Sequence, residues 1–272
     1  KKSIDGTIKN SVKLHDNLLV ESVLIPSKNR STACVSSQVG CSLNCQFCAT
    51  SKINRLRNLK MDEIFDQVTL MDKQSRKYFK RPISNIVFMG MGEPLMNYNN
   101  MIAAIKKITQ YRKFGISSKR ITISTSGIPK MIMKLADEEF KFKLAVSLHS
   151  ANQLIREKIM PFTIKFPITD LIESLNYWYL KTNRIITLEY IVWENINSKK
   201  SDINDLINFC KKVPSKVNLI QYNSIGDDDY KGASVEIINK YQNELLKHGI
   251  NSTYRRSRGA DIDAACGQLA NK

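Results

Sequence analysis

No run in these 272 residues approaches the roughly 18 apolar positions that a membrane-spanning helix needs, which excludes a helical membrane protein. The opening residues, KKSIDGTIKN, contain no apolar leader segment. They also lack an initiator methionine and start in mid-pattern, so a chain trimmed at its front is expected. Acidic residues are scarce: 25 Asp and Glu stand against 42 Lys and Arg, a formal net charge of +17. That imbalance favours a polyanionic partner, RNA or DNA first and an anionic membrane surface second. A lysine-rich background from a low-GC genome would also produce it. The arginine-bearing clusters KNR (28–30), RLRNLK (55–60), KQSRKYFKR (73–81), SSKR (117–120) and YRRSRG (254–259) are more specific. Cysteine is sparse as well, six in all, and clustered instead of spread as a disulfide framework. With no secretion signal, this predicts a reducing cytoplasm and thiols used for metal binding or catalysis. There is no low-complexity linker and no internal repeat.

What is present is alternation. From Thr7 to Gln38, three β-rich runs are separated by the turns HDN and SKNR. Strand-like runs follow at NIVFMG (85–90), RITISTS (120–126), KLAVSLH (143–149), ITLEYIVW (186–193) and KVNLIQYN (216–223). Between them lie segments with apolar residues near i, i+3, i+4 spacing, the mark of amphipathic helices. Counting the strand that starts at Thr32, there are six β/α units, then a last helix and strand (SVEIINKYQNELLKHG, NSTYRRS). The expected fold is α/β: a parallel sheet with helices outside, curled into a partial (β/α)6 barrel. Residues 1–31 are expected to form an N-terminal β extension and residues 32–272 the catalytic domain.

In such barrels chemistry collects at the C-terminal ends of the strands. Cys41, Cys45 and Cys48 follow the first strand, in CSLNCQFCAT with C-x3-C-x2-C spacing. GMGEP (90–94), STSG (124–127), SLH (147–149) and Asn223 fall at the ends of later strands. Three soft thiolates in one loop select zinc or an iron–sulfur cluster. A closed zinc site needs a fourth ligand, and Cys34, His149 and Cys266, the nearest candidates, lack finger-like spacing. A cubane cluster held by three thiolates leaves one iron open to a small molecule. Taken singly, Cys34 reads as a structural strand residue, Glu21 as a solvated one, Cys266 as a small buried residue and Cys210 as core. His15 and His248 have no assigned role.

The cysteine loop with Phe47 before Cys48, together with GMGEP, resembles the radical S-adenosylmethionine (radical SAM) superfamily. TACVSSQVGC (32–41), GMGEPL, AVSLHSAN and RGADIDAACGQLA (258–270) narrow the resemblance to the RlmN-type RNA adenine methyltransferases, from about Asp5 to Leu269. That family normally carries a further small N-terminal domain. The resemblance implies a [4Fe–4S] cluster on Cys41, Cys45 and Cys48. It implies S-adenosylmethionine (SAM), two per turnover, bound by Gly92, Glu93, Ser124, Ser147, Leu148, His149 and Asn223. The motif glycines would let backbone approach the ligand closely, and Glu93 would pair with its ammonium. Cys266 becomes the methyl-carrying thiol, Cys34 its redox partner and Glu21 the proton acceptor. The implied substrates are 23S rRNA and tRNA, methylated at adenine C2. An electron donor such as a flavodoxin and a cytoplasmic monomer are also expected. Arg255, Arg256 and Arg258 are the first candidates for holding RNA near the site, with a charge-protected edge strand as the alternative.

Two features depart from the family pattern. In TSKINRLRNL, Ser51 and Asn54 replace glycines, and Asn54 is expected to keep the turn by adopting a left-handed backbone. The stretch IGDDDYKG (225–232) is unusually acidic for a surface near RNA. The relatives that methylate adenine C8, the Cfr type, differ at Pro94 and at RSRG. A zinc-stabilised RNA-binding protein without catalysis is the alternative from another class.

Overall fold

The computed structural model describes residues 1–226 and 229–271; Asp227 and Asp228 of the acidic stretch lie outside them, as does Lys272. β1 (Ile8–Lys13) and β2 (Leu19–Pro26) form an antiparallel hairpin, and β2 pairs antiparallel with β3 (Ser31–Cys34). The hairpin turns at Asn17, whose φ of 66° is the left-handed conformation asparagine tolerates. A short antiparallel pair, β4 (Gln38–Val39) with β5 (Arg57–Asn58), ties off the base of the cysteine loop.

From β3 onward every pairing in the main sheet is parallel. The strands are β6 (Asn85–Phe88), β7 (Ile121–Thr125), β8 (Lys143–Ser147), β9 (Ile186–Ile191), β10 (Ser215–Ile220) and β11 (Ser252–Arg255). The sheet runs β1-β2-β3-β6-β7-β8-β9-β10-β11, with β1 and β11 at its two edges. Each parallel connection carries a helix: α1 (Met61–Phe79), α2 (Tyr98–Gln110), α3 (Pro129–Ala136), α4 (Gln153–Ile159) with α5 (Ile168–Thr182), α6 (Lys200–Lys212) and α7 (Val235–Lys247). This is the expected six-unit α/β architecture. The β1–β2 hairpin is continuous with the same sheet.

The helix ends follow local rules. Glu63 accepts from the Lys60 backbone N–H at 2.7 Å to start α1, and Asn152 accepts from Ile155 N–H at 3.2 Å to start α4. Asn183, at φ 52°, closes α5. Inner faces of the strands and apolar stripes of the helices form one continuous core, including Ile64, Phe88, Ile105, Ile123, Leu175 and Leu188. A second apolar cluster sits where the strands end, uniting Leu43 and Phe47 of the cysteine loop with Ile191, Trp193 and Tyr222. Among the described residues no helix is long and apolar enough to cross a membrane.

The cysteine loop corrects one expectation. Its left-handed residue is Asn44, at φ 54°, and Asn54 is not left-handed. Asn54 instead presents its carbonyl to Gly40 (φ 75°), where an added Cβ would lie 2.3 Å from that oxygen. Ser51 contributes its hydroxyl, which accepts from the Cys45 backbone N–H at 3.2 Å. Helix α4 and the β4–β5 pair were not expected from the sequence; both are too short to leave a periodic signal.

Candidate active site

The C-terminal ends of the parallel strands open into a cavity. Cys41, Cys45 and Cys48 line it together with Gly92, Glu93, Ser124, Ser147 and His149. Burial pushes the Cys41 thiol up to about 11 and the Cys45 thiol well above its ordinary value. Neither is a thiolate at neutral pH without a metal to displace its proton. Among the described residues, no three His, Cys, Asp or Glu side chains converge on a single-ion position, as a closed zinc site requires. Two of the three suggested fourth ligands are otherwise engaged. His149 accepts the Ile191 N–H on Nδ1 at 3.1 Å, and Cys34 faces a separate, smaller cavity.

Gly90 and Gly92 of GMGEP line the cavity and are also tightly packed within the protein. A Cβ at Gly92 (φ 89°) would sit 2.4 Å from the Gln38 side chain, and one at Gly90 would sit 2.5 Å from Ser36 Oγ. They allow the loop to pack on the segment leading into the cysteine motif. Glu93 is buried, and its carboxylate accepts from Leu95 N–H at 3.1 Å and Ser126 N–H at 2.8 Å. It thereby ties the loop after β6 to the loop after β7. Burial raises its pKa, against those hydrogen bonds.

At the end of β8, His149 is held at φ 54° and packs edge-on against Phe47, with centroids 4.6 Å apart. Burial depresses its pKa to about 3, with the Arg156 charge adding. Leu148, expected to touch the cofactor, points into the core and does not line the cavity. Its N–H donates to Glu189 O at 3.0 Å, and its carbonyl accepts from Arg156. Arg156, 1% exposed, also donates to the Ser147 and Ser126 carbonyls at 2.9 and 2.7 Å. One buried guanidinium thus fixes the ends of two neighbouring strands.

One lining residue was missed and a second was expected in another role. Glu189 on β9 is 5% exposed; one oxygen accepts from Asn218 at 3.1 Å, and Oε2 has no hydrogen-bond partner. Burial pushes its pKa up. Its signal was an acidic residue inside the apolar run ITLEYIVW, where a buried parallel strand has no use for one. Arg255 was expected at RNA, but it is half-buried and lines both cavities. The Cys266 thiol, then Glu189 and Cys34, raise its pKa against burial.

Cys266 also lines both cavities: the larger with the three loop cysteines, the smaller with Cys34. Burial pushes the Cys34 thiol up to about 12, and Cys266 adds to the rise. Asn223 does not line the larger cavity; its Nδ2 donates to the Cys266 carbonyl at 3.1 Å. Glu21 is fully buried, which corrects its reading as a solvated residue. Its Oε1 lies 2.8 Å from Lys9 Nζ as an ion pair outside hydrogen-bond geometry, and its Oε2 accepts from Ala270 N–H at 2.9 Å. It lines neither cavity. Arg256 and Arg258 are exposed beside this segment.

The description "Radical SAM superfamily" matches residues 35–176. A probable dual-specificity RNA methyltransferase RlmN from Christiangramia forsetii is 65% identical over the whole chain, which spans 77% of that protein. The corresponding Chlorobaculum tepidum protein is 46% identical, over 98% of this chain and 71% of its own length. A radical SAM methyltransferase from Sphaerobacter thermophilus superposes with a TM-score of 0.97 at 37% identity, covering all of this chain and 80% of that one. The superfamily implies a [4Fe–4S] cluster and SAM. The residues present fit them: three soft thiols that do not converge on one ion, beside a cavity carrying an unpartnered buried carboxylate oxygen. Fold, cysteine loop and relatives agree that the chain belongs to the RlmN-type RNA methyltransferases of the radical SAM superfamily.

Proposed function

We propose that this chain methylates C2 of an adenine in 23S rRNA (adenine 2503) and in tRNA (adenine 37), with Cys266 as methyl carrier. The observation that carries this is the position of Cys266 at two cavities, one shared with the cluster cysteines and one with Cys34. When bound, the cluster and SAM supply an electron and a 5′-deoxyadenosyl radical, with two SAM used per turnover, one as methyl donor.

Adenine C2 is an electron-poor amidine carbon, so direct displacement does not methylate it; a thiolate accepts a methyl group readily. Cys266 fills that need, and Arg255 beside it provides a positive field for a thiolate. Glu21 is the carboxylate proposed to take the C2 proton. It binds the carrier segment directly, accepting from Ala270 N–H at 2.9 Å. With the Cys266 methylene carbon bonded to C2, the Cys34 thiolate would attack the Cys266 sulfur. The disulfide forms as the S–CH2 bond breaks, and the carbon keeps the electron pair and takes a proton to become the product methyl. The target adenine must leave its stack to reach the thiol, and Arg256 and Arg258, both exposed, are the residues proposed to contact RNA phosphates nearby. Gly92, Glu93, Ser124, Ser147 and His149 hold SAM. A flavodoxin-like electron donor, a cytoplasmic location and a monomeric state complete the proposal.

Nucleoside analysis of rRNA and tRNA treated with the full-length protein, SAM and a reductant tests the reading. 2-Methyladenine in both RNAs is expected, and 8-methyladenine overturns the assignment. Anaerobically purified protein should be brown, absorbing broadly near about 400 nm. A colourless, zinc-loaded protein active in RNA binding alone would overturn catalysis.

A further inference from the structure

The segment from Arg258 to Asn271 crosses from the end of β11 to the β1–β2 hairpin with little regular structure of its own. Four of its residues, Gly259, Asp263, Gly267 and Asn271, have positive φ, and its single helical turn spans Ala260–Ile262. Its position therefore depends on anchors from elsewhere. On the barrel side these are Asn223 to the Cys266 carbonyl, Ala49 N–H to the Gly267 carbonyl at 2.7 Å and Thr50 Oγ1 to the Leu269 carbonyl at 2.6 Å. On the hairpin side Asp261 accepts from Ser3 Oγ and Ile4 N–H, Asp5 from Gly259 N–H, and Asn271 Nδ2 donates to the Leu19 carbonyl. Nearest Cys266, the anchor is a charged pair buried in the fold.

Lys9 is 4% exposed and Glu21 is fully buried. Lys9 Nζ donates to the Asp263 carbonyl at 3.1 Å and lies 2.8 Å from Glu21, whose other oxygen holds Ala270 N–H at 2.9 Å. The two residues sit on paired strands, and together they grip the segment three residues before Cys266 and four after it. A buried ion pair is a poor stabiliser, since apolar groups of equal volume often serve the fold as well. Its polar atoms here reach both flanks of the thiol, which an apolar pair could not do. We infer that Lys9 is a positioning residue for the reaction: through the Lys9–Glu21 pair it clasps the carrier segment and holds Cys266 where the two cavities meet. This rests on Cys266 being the methyl carrier. It is separate from the role of Glu21 as proton acceptor.

The test uses the cluster-loaded protein and two variants. K9M removes the clasp and keeps the Glu21 carboxylate. K9M/E21L replaces the whole pair by apolar groups and so preserves the fold even if K9M alone does not. Amide hydrogen exchange is read by mass spectrometry. In K9M/E21L, amides within 264–270, Ala270 first, should exchange at least about tenfold faster while those of β6 to β10 do not change. In K9M, kcat should fall about a hundredfold with KM for RNA unchanged, as expected for a misplaced carrier. Wild-type exchange at 264–270 in a folded K9M/E21L overturns the clasp, as does wild-type kcat in K9M. The proton-acceptor role is read independently, by accumulation of RNA–protein adduct in E21Q. If Cys266 is not the carrier, C266A retains methylation whatever the exchange data show.

Discussion

Cys266 and Cys34 line the same small cavity yet differ in exposure: Cys266 is exposed and Cys34 buried. The exposed thiol suits a group that must receive a methyl and meet a base; the buried one suits a partner that acts once. Cys266→Ala should abolish methylation entirely, measured as transfer of labelled methyl from SAM to RNA. Cys34→Ala should instead leave RNA covalently bound, visible as a shifted band on a denaturing gel; normal turnover would remove Cys34 from the mechanism. His149 gives a pH dependence whose sign is fixed. Its pKa of about 3 in the fold lies below the ordinary 6.5. Between those values the unfolded chain binds a proton that the native state does not, so stability falls as the solution is acidified. The loss should be about 2 kcal/mol from pH 6.5 to pH 5, read from urea midpoints, and smaller in His149→Gln.

At the scale of elements, the strands were legible because β-branched runs of four to eight residues bounded by turn residues leave few other options. Strand-end placement of the motifs followed from the alternation alone. What was not legible has a physical reason in each case. QLIREKI, the α4 helix, spans under two turns, and β4 and β5 are two residues each, below the length at which a period shows. The burial of Lys9 and Glu21 gave no signal in the sequence because their partners, the Asp263 carbonyl and the Ala270 N–H, come from a segment 254 and 249 positions away. Arg156 was not singled out from the sequence, because its function as a clamp depends on where β7 and β8 end. Arg156→Met should leave those carbonyls unsatisfied and cost about 3 kcal/mol of stability, measured by urea unfolding. A loss below about 1 kcal/mol would show that the strand ends hold without it.

For the whole molecule the net charge of +17 matters through RNA. Affinity should fall steeply with added salt, because phosphate contacts release bound counterions. Arg256→Ala should weaken binding to every RNA alike and lower the slope of log affinity against log salt by about 1, measured by filter binding. An unchanged slope would place the RNA elsewhere and leave the arginines of β11 to protect an edge strand. Arg255 should behave differently: it faces the thiols, so its substitution should affect turnover more than RNA affinity.

The pairing of residues 5 and 21 with residues 259 and 270 has a consequence in time. Ala270 bonds to Glu21 across 249 positions, and Gly259 to Asp5 across 254. During synthesis the hairpin and most of the barrel can be complete while the segment bearing Cys266 is still inside the ribosome. The segment bearing Cys266 is therefore assembled after the barrel strands that receive it, whichever part of the chain is made next.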